Sequence, residues 1–251
     1  MLWVLLAAAV IAFATFIGTC VGYLFKDISQ KTNDGVIGFS AGVMLCAAIL
    51  GLVEPSVEYG GRYGEIIATL GIFAGAIFLG MIDKIMPRLN EKVGVRSGSG
   101  QGRVLLFVAA IAIHHLPEGI AVGVSFGTGN ISDIAMVCGS IAIQNMPEAA
   151  VIIAPMLKSG VSRKRAMVIA LISGGMEIVG TFFGFFAVSV ATFIMPFALA
   201  FAGGSMIYII IDEMVPETHG HGFCKIASYS AVAGFCSMLV FDGVIEKLVT
   251  L

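Results

Sequence analysis

The sequence predicts an all-α membrane protein of eight transmembrane helices in an inverted-repeat arrangement, with both termini outside. Three observations predict it. Hydrophobic residues make up 58% of the 251 residues and charged residues only 12%, where soluble domains carry about 25% charged residues. The apolar residues fall in runs of about 20, the length that crosses a bilayer as a helix. Twelve of the fourteen Lys and Arg fall in alternate loops.

The spans lie at about 2–25, 36–58, 65–86, 104–127, 133–157, 165–189, 195–216 and 227–249. The first is apolar without a basic start, so it reads as a retained helix rather than a cleaved signal. Turn signals separate the spans: Lys26-Asp27 to Asp34-Gly35, Tyr59-Gly60-Gly61-Arg62, Gly127-Thr128-Gly129-Asn130, Lys158-Ser159-Gly160 and His219-Gly220-His221-Gly222. The one long connection, about 87–103, is rich in Gly, Ser and Arg and reads as a flexible cytoplasmic loop within a single transmembrane domain, 1–251. The five cysteines are scattered, with no C-x-x-C pair, which suggests neither a disulfide framework nor a thiolate metal site. No basic cluster suits nucleic acid.

Charge bias sets the orientation. With the N-terminus outside, the inner loops hold twelve basic residues and the outer ones only Arg62 and Lys247. The positive-inside rule then puts both termini outside the cell's inner (plasma) membrane.

Two stretches interrupt the apolar runs with chemistry: His114-His115-Leu116-Pro117-Glu118-Gly119 in span four and Gln144-Asn145-Met146-Pro147-Glu148-Ala149 in span five. Carboxylates and imidazoles inside a span are expensive and mark function. In each stretch the first polar residue and the glutamate are four apart, on one helix face. Each proline frees a carbonyl one turn earlier, Ile113 or Ile143, which water or a cation in a cavity can satisfy. Both motif centres lie about 15–20 Å from the tight turn near residue 130, which is close to the bilayer midplane. Two such motifs on inverted neighbours are what an inverted-repeat transporter shows. Glu177, after Gly174 and Gly175, also falls at the midplane, where those glycines permit close helix approach. Imidazole with carboxylate suits a divalent first-row metal.

Further polar residues form a ladder. Glu54 lies near the outer end of span two, Asp83 near the inner end of span three, and Asp212, Glu213 and Glu217 near the inner end of span seven. Glu213 is a pathway candidate because apolar residues flank it. Glu54 beside Pro55 reads either as a pathway residue or as a snorkelling one. Asp83 and Asp212 read equally well as structural partners of loop Lys and Arg. His219 and His221 read as a solvated loop, with a weak cytoplasmic metal stop as the other reading.

With these motifs the sequence resembles the ZIP family of divalent metal transporters, in its bacterial branch. The Gly-rich start of span two (Phe39 to Leu45) and span seven (Gly203-Gly204-Ser205-Met206, Asp212 to Glu217) carry the resemblance further. It implies metal ligands at His114, His115 and Glu118, at Gln144, Asn145 and Glu148, and at Glu177. Together these resemble a two-metal site bridged by Glu118 and Glu148, with Glu213 and Asp83 on an inner release path. The family also implies a homodimer. The chain departs from the family pattern at His115, where Asn is usual, and at Gln144, where His is common.

The function expected is uptake of a divalent transition metal by alternating access. Zn²⁺ is the first candidate, with Fe²⁺, Mn²⁺ and Cd²⁺ beside it. The expected partners are the metal ions and the lipid bilayer. Metal entering a protonated site is expected to release protons. Proton-coupled efflux uses the same residues and is the alternative. An intramembrane metalloprotease wants H-E-x-x-H on one helix, and the sequence has none.

Overall fold

The computed structural model describes residues 1–24, 28–92, 114–158 and 161–249. Among them every regular element is helical: α1 (Leu2–Leu24), α2 (Gln30–Tyr59), α3 (Gly64–Lys92), α4 (114–125), α5 (Ile131–Lys158), α6 (Arg163–Val190), α7 (Thr192–His219) and α8 (Cys224–Val249). Among the described residues seven helices are long and apolar enough to cross a membrane. α4 is described only from His114 onward, so the first part of span four lies outside the described residues, as do 93–103 of the long connection.

Helix ends follow local chemistry. Ser29 caps α2 by accepting from the Thr32 amide at 3.2 Å, and Ser162 caps α6 by accepting from the Arg165 amide at 3.4 Å. A serine oxygen at this position satisfies an amide the first turn leaves free. α2 therefore starts at Gln30, six residues before the expected span, and Asp34 lies in helix rather than in a turn. α3 continues through Pro87 to Lys92, into the stretch the sequence reads as loop.

α2 and α7 share a feature that periodicity does not reveal. Each widens into a π-helix, at Ala47–Val53 and Ile210–Met214. The Glu54 amide donates to the Ile49 carbonyl, and the Val215 amide to that of Ile210, both five residues back. A proline follows each segment, Pro55 and Pro216. Proline cannot donate, and its ring crowds the carbonyl four residues earlier. The wide turn relieves that conflict.

The helices pair through small residues. α1 lies on α5, with Gly18 and Gly22 against the carbonyls of Met146 and Ala150; α4 lies on α6 through Gly119, Gly123, Gly180 and Gly184. These four helices form one group. In the other, α2 lies on α8 through Gly38, Gly42 and Gly234, and α3 on α7 through Gly71, Gly75 and Gly204. α2 also packs on α5 and joins the groups. Without a hydrophobic drive in lipid, such backbone contact is what associates helices. The outer faces carry Ile66, Leu70, Phe73, Ile77 and Met81 on α3, and Val10, Phe13 and Ile17 on α1, all exposed. Apolar patches of that extent suit hydrocarbon rather than water.

Candidate metal centre

Polar residues of α1, α4, α5 and α6 converge. His115, Glu118 and Glu177 are buried, and their ligand atoms all lie within 4.8 Å of one another. His115 Nδ1 is hydrogen-bonded to Glu177 Oε1 and stands 3.5 Å from Glu118 Oε2. Gly119 brings α4 onto α6 beside this trio: a Cβ there would lie 2.2 Å from the Glu177 carbonyl oxygen. Gly174 and Gly175, the glycines the sequence singled out, play a different part. A Cβ on Gly175 would meet nothing within 4 Å, and on Gly174 nothing nearer than 3.7 Å. The close approach is made instead by Gly119, Gly123, Gly180 and Gly184.

Each buried glutamate is half satisfied. Glu177 Oε1 accepts from Thr15 Oγ1 at 2.8 Å and from Asn145 Nδ2 at 3.0 Å, besides His115. Glu118 Oε1 accepts from Gln144 Nε2 at 2.6 Å. The other oxygens, Glu177 Oε2 and Glu118 Oε2, have no hydrogen-bond partner, nor do Gln144 Oε1, Asn145 Oδ1 and Glu148 Oε2. Each amide spends its NH₂ on a carboxylate and leaves its carbonyl oxygen unpaired. Flipping either amide would break its bond to a glutamate, so the network fixes the orientation. A buried acceptor without a donor costs about 1–3 kcal/mol. All five of these oxygens are free acceptors.

Glu148 lies one turn past Gln144 and is half-buried, outside the tight trio. His114 turns the other way. Its Nε2 lies 2.5 Å from Glu213 Oε2, in the π segment of α7. The structure thus brings Glu213 to the His114 side of the site, across the two helix groups. Glu54 is exposed, directly after the π segment of α2. Asp212 is exposed beside Glu213. Asp83 lies on α3, and its side chain is outside the described residues, as is the Ile113 carbonyl.

The sequence reading missed Thr15. It also missed the narrow cleft that Thr15, Thr19, His115 and Ser173 line together with Met156 and Ile169. Thr15 carries no visible signal, because a span threonine can always bond its own helix, here the Ile11 carbonyl at 3.2 Å.

The ZIP zinc transporter family profile matches residues 88–242, more than half of the chain. The chain belongs to the ZIP zinc transporter family. It is 33% identical to zinc transporter GufA of Myxococcus xanthus over 95% of this chain and 97% of the relative. It is 32% identical to zinc transporter ZIPB of Bordetella bronchiseptica over 91% and 77%. It is also 32% identical to zinc transporter ZupT of Chlorobaculum parvum over 90% and 91%. These ZIP relatives are named as transporters, not enzymes, and zinc is the ion in each name. The multi-pass helices and the His/Glu trio agree with divalent metal transport by a membrane protein.

Proposed function

We propose that this ZIP chain carries divalent transition metal, zinc first, into the cytoplasm through the midplane centre, which opens alternately to each side. The observation that supports this most is the set of five buried, unpartnered oxygens around His115, Glu118 and Glu177. Among the described residues no Lys or Arg pairs with these glutamates, so a mobile cation is the charge that completes them.

Two metal positions fit the donors. His114, Glu118, Gln144 and Glu148 form the first. His115, Asn145 and Glu177 form the second, with Glu118 and Glu148 bridging the two. An arriving ion exchanges water for these oxygens and the imidazole nitrogens. Thr15 holds Glu177 Oε1 and thereby turns Oε2 toward the ion. Glu213 then offers a carboxylate next to His114 on the way to the cytoplasm, with Asp83 and Asp212 beyond it.

The matched pairs α1–α5 with α4–α6, and α2–α8 with α3–α7, support an inverted repeat of eight spans. The basic loops support N-out, C-out topology in the inner membrane. The test is flux in liposomes with zinc fixed on each side. Net inward zinc movement down its gradient, lost in Glu118→Ala, is expected. Absence of zinc flux in either direction would overturn the reading.

A further inference from the structure

We propose that Gln30, Asp34 and His221 form a second, peripheral zinc-binding site where the start of α2 meets the α7–α8 turn, separate from the midplane centre. Asp34 is fully buried in the second turn of α2. Gly35 and Gly38 press this stretch of helix onto Ile226 and Ala227 of α8. A buried carboxylate needs a cation or a full set of donors. Among the described residues no Lys or Arg pairs with Asp34, and its ion-pair neighbour is His221.

The contacts converge on one point. Asp34 Oδ1 accepts from Gln30 Nε2 at 2.8 Å. The same amide nitrogen lies 3.0 Å from His221 Nδ1, and His221 Nδ1 lies 3.4 Å from Asp34 Oδ1. An amide NH₂ only donates, so His221 Nδ1 accepts and carries no proton. A carboxylate oxygen and an imidazole nitrogen therefore aim lone pairs at one place, where the positive end of an amide sits. Asp34 Oδ2, buried beside it, has no partner.

The spacing suits zinc. Two donors bound at about 2.0–2.1 Å on a tetrahedral ion stand about 3.3–3.4 Å apart. Gln30 and Asp34 are four apart on one helix face. Turning the Gln30 amide about its last torsion replaces nitrogen by oxygen and supplies a third donor. His221 is 38% exposed, so water reaches the fourth position. One nitrogen and two oxygens without thiolate make a weak, exchangeable site. None of the three residues shares a hydrogen bond or ion pair with the midplane set. Only the statement that this site faces the cytoplasm rests on the proposed topology. There it would receive zinc that has left the transport path.

Purified full-length protein in detergent, treated with a histidine acylating reagent with and without zinc, tests this by peptide mass spectrometry. Zinc is expected to protect His221 at least fivefold, and Asp34→Asn to abolish the protection. Protection is expected to survive in the Glu118→Ala, Glu148→Ala double variant, which separates this site from the midplane reading. His221→Ala, a change in an exposed turn, is expected to lower bound zinc by one ion in equilibrium dialysis. No protection of His221, protection unchanged in Asp34→Asn, or protection lost in the midplane double variant would each overturn the proposal.

Discussion

Gly119→Ala is expected to disable transport by moving backbone rather than by removing a ligand. A Cβ at residue 119 would lie 2.2 Å from the Glu177 carbonyl oxygen, 2.9 Å from its carbonyl carbon and 2.9 Å from its Cα. Ordinary contact begins near 3.4 Å, so α4 and α6 must separate by about 1 Å. The opposing atoms are backbone and cannot swing aside. Overpacking of this kind costs about 1–3 kcal/mol. Glu118 and Glu177 ride on the two helices and are displaced together. A metal site tolerates about 0.2 Å in its ligand distances, so the shift exceeds that several-fold. Loss of one ligand worth about 1.4 kcal/mol already lowers affinity tenfold. Zinc flux at subsaturating concentration should fall at least tenfold, with folded protein still present by size exclusion. Gly175→Ala is the control: its Cβ meets nothing within 4 Å, and alanine favours a helix interior over glycine by about 0.5–1 kcal/mol. Its flux should stay at the wild-type level. If Gly119→Ala transports within twofold of wild type, the close α4–α6 contact does not set the site.

Glu118→Ala and Glu148→Ala are each expected to abolish zinc flux while leaving folded protein in the membrane, as read by liposome transport and fluorescence-detected size exclusion. Glu177→Ala should lower bound metal from two ions to one in a direct metal count, since it removes the carboxylate that Thr15, His115 and Asn145 hold. Gln144→His exchanges an amide oxygen for an imidazole nitrogen, a donor zinc favours over manganese. Competition assays should show the zinc preference rising by up to about tenfold, or 1.4 kcal/mol, and an unchanged ratio would remove Gln144 from the selective step. A single cysteine at either terminus should react with an impermeant reagent added outside intact cells, and protection there would reverse the topology.

The helical membrane character and the residues of α4 to α6 were legible because intramembrane polar side chains stand out against an apolar background. Spacing put His114 with Glu118 and Gln144 with Glu148 on shared faces, and helix rise put Glu177 at the same depth. What spacing could not give was which way each side chain turns. His114 and His115 are adjacent in sequence, yet one meets Glu213 and the other Glu177, because successive helical residues point about 100° apart. Thr15 was hidden by its ordinary chemistry. Asp34 was hidden by its neighbours, since Asp34-Gly35 next to a charged stretch reads as a turn. The packing glycines were misassigned because glycine is frequent along the whole chain, and only the partner backbone tells which of them is in contact.

The π segments make residue count, and not only residue identity, a determinant of the site. A π-bulge is an α-helix carrying one surplus residue. Deleting a single residue such as Ile211 would let α7 close into regular α-helix. That would change the angle at which Glu213 leaves the helix, because the wide turn that now carries it advances less per residue than the about 100° of a regular α-helix. Every ligand would still be encoded, but the carboxylate that now meets His114 at 2.5 Å would face a different neighbour. Insertions and deletions are ordinarily tolerated at loop tips and costly in helices. Here the length of a short helical window sets whether Glu213 meets His114, and a frame-preserving loss of one codon is expected to break that contact.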